Sequence, residues 1–133
     1  MSDQSLNSLL KNLSPRLNEG EFVFCCVDDD SKIGIAEIEG LFRELEGTTV
    51  VLKKLAADRN GLDYETVLSW ITLDVNSSLE AVGLTAQVSS VLANENIACN
   101  VVAGFHHDHL FVPVDDAERA MEVLNKLVAG TKG

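Results

Sequence analysis

"LEAVGLTAQVSSVLANENIACNVVAGF" (79–105), running on into "HHDHLFVPV" (106–114), is the stretch on which the fold turns. Its first part has helical spacing over 79–96, with an apolar stripe at Val82, Ala86, Ser89 and Ala93 or their neighbours. "IACNVVAGF" (97–105) then reads as a strand, and "DHLFVPV" (108–114) as another after a tight turn. Upstream, "TVLSWITLDV" (66–75) is a strand. Downstream, "DDAERAMEVLNKLV" (115–128) is a helix with acids in its first turn and Lys126 in its last, as the macrodipole prefers. The order βαββα is a ferredoxin-like split βαβ unit without its last strand, so the missing edge must be supplied from elsewhere.

Working outward, "SLNSLLKNL" (5–13) places leucines at 6, 9, 10 and 13 on one helical face and stops before Ser14-Pro15. "EFVFCCV" (21–27) is an apolar strand closed by the acidic turn Asp28-Asp29-Asp30. In "IEGLFRELEGTTVVLKKL" Leu41 and Leu45 also suit a helix, but Glu46-Gly47 before Thr48-Thr49-Val50-Val51 favours a hairpin. "AADRNGLD" (56–63), polar and glycine-containing, reads as a linker and divides the chain into modules 1–61 and 62–133. A short echo, "FVFCCVDDD" (22–30) against "LFVPVDDAE" (110–118), hints that each module carries a copy of one strand and turn.

The 133 residues carry a net charge of −11, and no Lys or Arg occurs between Arg59 and Arg119. Phosphate neutralisation needs cations there, so nucleic acid is not an expected partner. Adjacent Cys25 and Cys26 with lone Cys99 make no disulfide framework. No apolar run is long enough to span a membrane and "MSDQSLNSLLKNLSPRL" lacks a secretory pattern, so a soluble, cytoplasmic protein with no membrane partner is expected.

In a ferredoxin-like sheet the first and third strands are antiparallel neighbours. The end of one, Asp74-Val75, should therefore lie beside the start of the other, His107-Asp108, at the edge where the first helix begins. Asp74, Asn76, Ser77, Ser78, Glu80, Ala81, the helix-opening amides of Val82, Gly83 and Leu84, and Asp108 are expected on one rim. Helix-terminal amides can hold a carboxylate and the acids an ammonium or guanidinium, which suits a zwitterion. Gly83 would let a ligand near the backbone, or only allow close packing; Ser77 or Ser78 would cap the helix. The lone Trp70 is expected in the core.

All three histidines, His106, His107 and His109, surround Asp108. His107 and His109 on one strand face could bind zinc, yet no third ligand stands at a usual spacing. Neither a metal nor another cofactor is expected, and no nucleophile motif supports a histidine base.

From Trp70 to Leu127 the chain resembles an ACT domain, carried by "LEAVGLTAQVSSVLANENIACNVVAGF" and "HDHLFVPVDDAERAMEVL", with "LFRELEGTTVVLKK" resembling the hairpin that precedes such a module. Small tandem-ACT proteins, and the ACT repeats of the cytosolic arginine sensor, are similar. The resemblance implies an α+β, ferredoxin-like two-layer sandwich with an antiparallel sheet and tandem ACT-like modules. It implies a non-catalytic regulatory protein that binds an amino acid, acting as a homodimer or on a partner enzyme or transporter. Asp108 would meet the ligand's cationic group and Glu80–Leu84 its backbone groups, with Asp74, His107 and His109 nearby. Glu80-Ala81 departs from the two acids of the sensor's turn, which points away from arginine. The competing expectations are a ligand-independent ancillary subunit and a metal-dependent enzyme using His107 and His109.

Overall fold

The computed structural model describes residues 6–28, 31–75 and 83–132. Its elements are α1 (Leu6–Asn12), β1 (Ser14–Leu17), β2 (Phe22–Val27), β3 (Ile38–Glu44), β4 (Gly47–Lys53), α2 (Lys54–Arg59), β5 (Leu68–Asp74), α3 (Leu84–Asn94), β6 (Asn100–Ala103), β7 (Asp108–Pro113) and α4 (Ala117–Lys132). The fold is α+β and ferredoxin-like, with two tandem modules. By packing, the chain divides into a larger unit, Met1–Glu19 with Ser69–Gly133, and a smaller one, Gly20–Leu68.

The larger unit orders its strands β1-β5-β7-β6. The edge absent from residues 66–128 is thus β1, antiparallel to β5 with Ser14 opposite Asp74 and Leu17 opposite Ile71. One sheet face, through Ile71, Leu73, Leu110 and Val112, packs on Leu9, Leu10, Leu84, Val88, Leu92, Leu124 and neighbours from α1, α3 and α4. Each such leucine or valine withdrawn from water contributes about 1.5–3 kcal/mol before entropy is counted. The stripe that α3 buries is Leu84, Val88 and Leu92, on the neighbours of the expected positions.

Both ends of α3 are backbone devices. Gly83, at φ 93°, opens it in the left-handed region, and a Cβ there would stand 3.3 Å from the Leu6 side chain. At its other end Asn96 (φ 60°) turns left-handed, the Asn96 and Ile97 amides donate to the carbonyls of Ala93 and Leu92 at 2.9 and 3.0 Å, and Ile97 drops into the core. That is a Schellman stop with its hydrophobic contact. The strand expected from residue 97 therefore begins only at Asn100.

The smaller unit orders its strands β3-β4-β2 and carries α2 behind a six-residue core of Val23, Cys25, Val50, Leu52, Ala56 and Ala57. The hairpin reading holds, with Leu45 and Glu46 between β3 and β4. Gly47 follows at φ 152°, where a Cβ would meet Cys26 Sγ at 2.7 Å. The expected linker at 56–63 needs correction: its first residues belong to α2, and Ala56 and Ala57 are small enough to pack flush on β2 and β4. The echo of 22–30 in 110–118 also joins strands in unlike places. By position β2 corresponds to β5, β4 to β7 and β3 to β6.

Candidate functional site

Alternation along β5 and β7 sorts the candidate residues by face. Leu73, Leu110 and Val112 belong to the helix-side core, so Asp108 shares their face. Trp70, Thr72, Asp74, His109 and Phe111 fall on the other. The convergence expected of Asp74 and Asp108 is thus split by the pleat.

The open face holds a polar network. His109 Nδ1 accepts from the Trp70 indole at 3.0 Å, with the Thr72 hydroxyl 3.2 Å away. Thr72 Oγ1 in turn accepts from Asn18 Nδ2 at 2.9 Å. An indole can only donate, so His109 carries its proton on Nε2. Burial first, then His107, pulls the His109 pKa below the ordinary imidazole value. Trp70 stacks on Phe111 with centroids 5.9 Å apart, outside the helix-side core where the sequence places it.

At the end of this face Arg16 of β1 grips Asp74, Nε to Oδ2 at 2.8 Å and Nη2 to Oδ1 at 3.2 Å. This fork holds the Asp74 carboxyl below the usual range. His107 Nε2 lies 3.7 Å from Asp74 Oδ1, which places the start of β7 beside the end of β5 as expected. His107 itself sits in the turn, where Gly104 N donates to the His107 carbonyl at 2.8 Å. Its Nδ1 is buried and has no hydrogen-bond partner among the described residues.

Arg16 was the residue that reading residues 60–118 alone could not find. The cation arrives from the opposite end of the chain, on the edge strand β1. A pairing signal did exist, in the missing fourth strand.

On the helix side, Asp108 is half-buried and its carboxylate makes no hydrogen bond or ion pair with another described residue. Leu84 is 2 % exposed and part of the core, and Gly83 lies against Leu6. Glu80, Ala81 and Val82, with Asn76, Ser77 and Ser78, lie outside the described residues. Among the described residues no three His, Cys, Asp or Glu side chains cluster as metal ligands. Cys25, Cys26 and Cys99 are free thiols, and burial raises the pKa of Cys25 and Cys99.

By class this is a tandem ferredoxin-like module with a polar rim. ACT domain models match residues 2–69 and 65–126, and the chain belongs to the ACT domain family, whose members are small-molecule-binding regulatory modules rather than catalytic ones. It is similar to a Vibrio cholerae protein of unknown function, described as a possible transport protein: 40% identity, 96% of this chain and 99% of that one covered, TM-score 0.82. An Agrobacterium tumefaciens protein shares the fold at 18% identity, with 87% and 89% covered and TM-score 0.70. So does the ligand-free regulatory subunit of aspartate kinase from Thermus thermophilus, at 10% identity, 85% and 95% coverage and TM-score 0.63. No curated protein matches the sequence. No helix among the described residues is long and apolar enough to cross a membrane.

Proposed function

We propose that the chain is a non-catalytic cytoplasmic regulator that binds an amino acid or similar amine and reports it through a homodimer or a partner enzyme or transporter. The supporting observation is the Asp108 carboxylate, unpaired among the described residues and half-buried on the helix side of β7, where Asp74 is already taken by Arg16. A cation set against Asp108 gains a charge-assisted bond without breaking an existing one. The backbone of Glu80–Leu84 receives the ligand's carboxylate, while Asp74, His107 and His109 set the polarity of the adjoining rim. The description of the Vibrio cholerae relative as a possible transport protein favours a transporter among the partners. In this reading the modules run 1–61 and 62–133, and the first lends α1 and β1 to the second.

A thermal-shift screen against the amino acids at millimolar concentration tests it. A binder present at about 100 times its Kd adds about 2.7 kcal/mol, and Asp108→Ala abolishes that gain while leaving the unliganded melt unchanged. No stabilisation by any of them counts against the reading.

A ligand-independent ancillary subunit is the second reading, favoured by the apolar residues on the β3–β4 hairpin: Leu41, Phe42 and Leu45 are 46, 69 and 99% exposed. Dimers that form without ligand, dissociate on Phe42→Asp and ignore Asp108→Ala would establish it.

A further inference from the structure

The polar network on the sheet face away from the helices has one position that a proton would reverse. Trp70 Nε1 lies 3.0 Å and Thr72 Oγ1 3.2 Å from the same atom, His109 Nδ1. An unprotonated imidazole nitrogen offers one in-plane lone pair, and an imidazolium offers none, because both its nitrogens donate. The two neighbours respond differently. A hydroxyl can turn its proton away and accept instead, as Thr72 Oγ1 already does from Asn18 Nδ2 at 2.9 Å. An indole can only donate. Proton uptake at His109 Nδ1 therefore keeps the Thr72 contact with its direction reversed, and sets two N–H groups against each other across 3.0 Å.

The other end of the ring rests on the turn between β6 and β7. A Cβ on Gly104 would stand 3.1 Å from His109 Nε2 and 2.9 Å from the His107 carbonyl oxygen, so a glycine is what lets the imidazole and the turn backbone come this close. The ring thus spans from β5 to the turn, and a repulsion at its Nδ1 end presses on Gly104 at its Nε2 end. On the β5 side Thr72 is 2 % exposed and packed in place. On the turn side Phe105 is 82 % exposed, with the exposed His106 set edge to face against it at 5.0 Å. The shut turn also carries a cost that opening relieves: the buried His107 Nδ1 has no hydrogen-bond partner among the described residues. The side free to give way is the turn.

We propose that the hydrogen bond from Trp70 to His109 is a proton-operated latch on the β6–β7 turn, shut while the imidazole is neutral and released when its Nδ1 takes one proton from water. Release costs the indole its acceptor, turns the Thr72 hydroxyl from donor to acceptor, and lets residues 104–107 move away from β5. The charged groups around the ring set where this happens. Burial opposes the proton most; His107 in the turn and Arg16 on β1 also oppose it, whereas Asp108 on β7 and Asp74 on β5 favour it. Arg16 and Asp74 are joined in one fork and largely offset each other. The latch needs no ligand, so it stands whether or not Asp108 binds one.

The test is a pH titration of ¹⁵N-labelled full-length protein from about pH 8 to about pH 5, read on the chain's single indole N–H and on the imidazole nitrogens. The indole proton should shift upfield, as a donor losing its bond does, on the same inflection that protonates His109 Nδ1. Across that inflection the exchange protection of the Gly104 amide, which donates to the His107 carbonyl, should fall by about tenfold. His109→Gln keeps an acceptor but no titrating nitrogen, and should hold the indole resonance at its paired position throughout. Trp70→Phe should move the His109 inflection to higher pH, since the neutral ring loses the bond that favours it. His107→Gln should keep the indole inflection, which excludes His107 as its source. An indole resonance flat through the His109 inflection would overturn the proposal. So would an imidazole still neutral at about pH 5, an indole inflection that survives His109→Gln, or Gly104 protection that does not change.

Discussion

The two units place opposite charges in the same row of the sheet but on different strands. β4 turns Thr48, Val50 and Leu52 to its helix side as β7 turns Asp108, Leu110 and Val112; the partner rows on β3 and β6 hold Arg43 and Leu41 against Ala103 and Val101. Where the larger unit has a carboxylate, the smaller has a guanidinium one strand over. A duplicated frame has thus diverged at the row beyond the core, where a change of side chain costs little packing, and stayed apolar within it. The units also differ in cover: three helices bury one sheet face of the larger, whereas α2 and a loop cover the smaller.

The largest expected effect tests that difference in cover. Leu92→Ala and Leu52→Ala each remove a fully buried side chain, at 0 % exposure. Beneath packed helices the first should cost about 3–5 kcal/mol in denaturant unfolding, and the second nearer 2, because a thinner layer collapses or hydrates more easily. Equal losses would mean that the loop packs as tightly as a helix. In native-state hydrogen exchange the β3 and β4 amides should likewise open before those of β5 and β7.

Next come the glycines. Gly47→Ala meets a sulfur as well as an unfavourable φ, whereas Gly83→Ala meets mainly the flexible Leu6 side chain. The first should lose about 2–3 kcal/mol and the second about 1–2, read from thermal melts. The reverse order would place the tighter constraint at the start of α3.

A smaller effect should separate the units by pH. His109 has its pKa lowered in the folded chain, so the unfolded chain takes up its proton first. The His109 contribution is complete above the unfolded value near 6.5 and is lost as pH falls below it towards the folded value. Asp74 and Asp58, both lowered, lose theirs only as pH falls below the ordinary carboxylate value of 3.8. Melting temperature should therefore dip slightly below pH 6.5 and again slightly below 3.8, and His109→Gln should erase the first step alone. Persistence of that step in His109→Gln would assign it to another group.

Smallest of all, Arg16→Gln at an exposed pair should barely move the melt. It should nevertheless free Asp74, read as a rise of its pKa towards the ordinary range in a carboxylate NMR titration.

Elements with a strong period or a clear length were legible from sequence: the β2 and β5 runs, the β3–β4 hairpin and the helix before Asn96. β1 was not. Ser-Pro-Arg-Leu has no strand signature, and it becomes one only because β5 offers an unpaired edge far along the chain. α2 was hidden by Arg59-Asn60-Gly61, whose punctuation lies just past the helix it ends. Of the site, the meeting of Asp74 and His107 followed from antiparallel adjacency. Its division from Asp108 needed only the period of two, counted from residues whose face the core settles.

Because β1 and α1 belong with β5 and α4, the smaller unit is inserted between the first and second strands of the larger sheet. On the ribosome, residues 20–68 carry their own contacts and can settle as soon as they emerge, whereas the first 19 wait for a partner made last. The larger unit closes a loop around an already folded insert, so it should form more slowly than its helical content suggests. A cut at residue 61 would strand the edge strand and leave β5 open to whatever chain passes by.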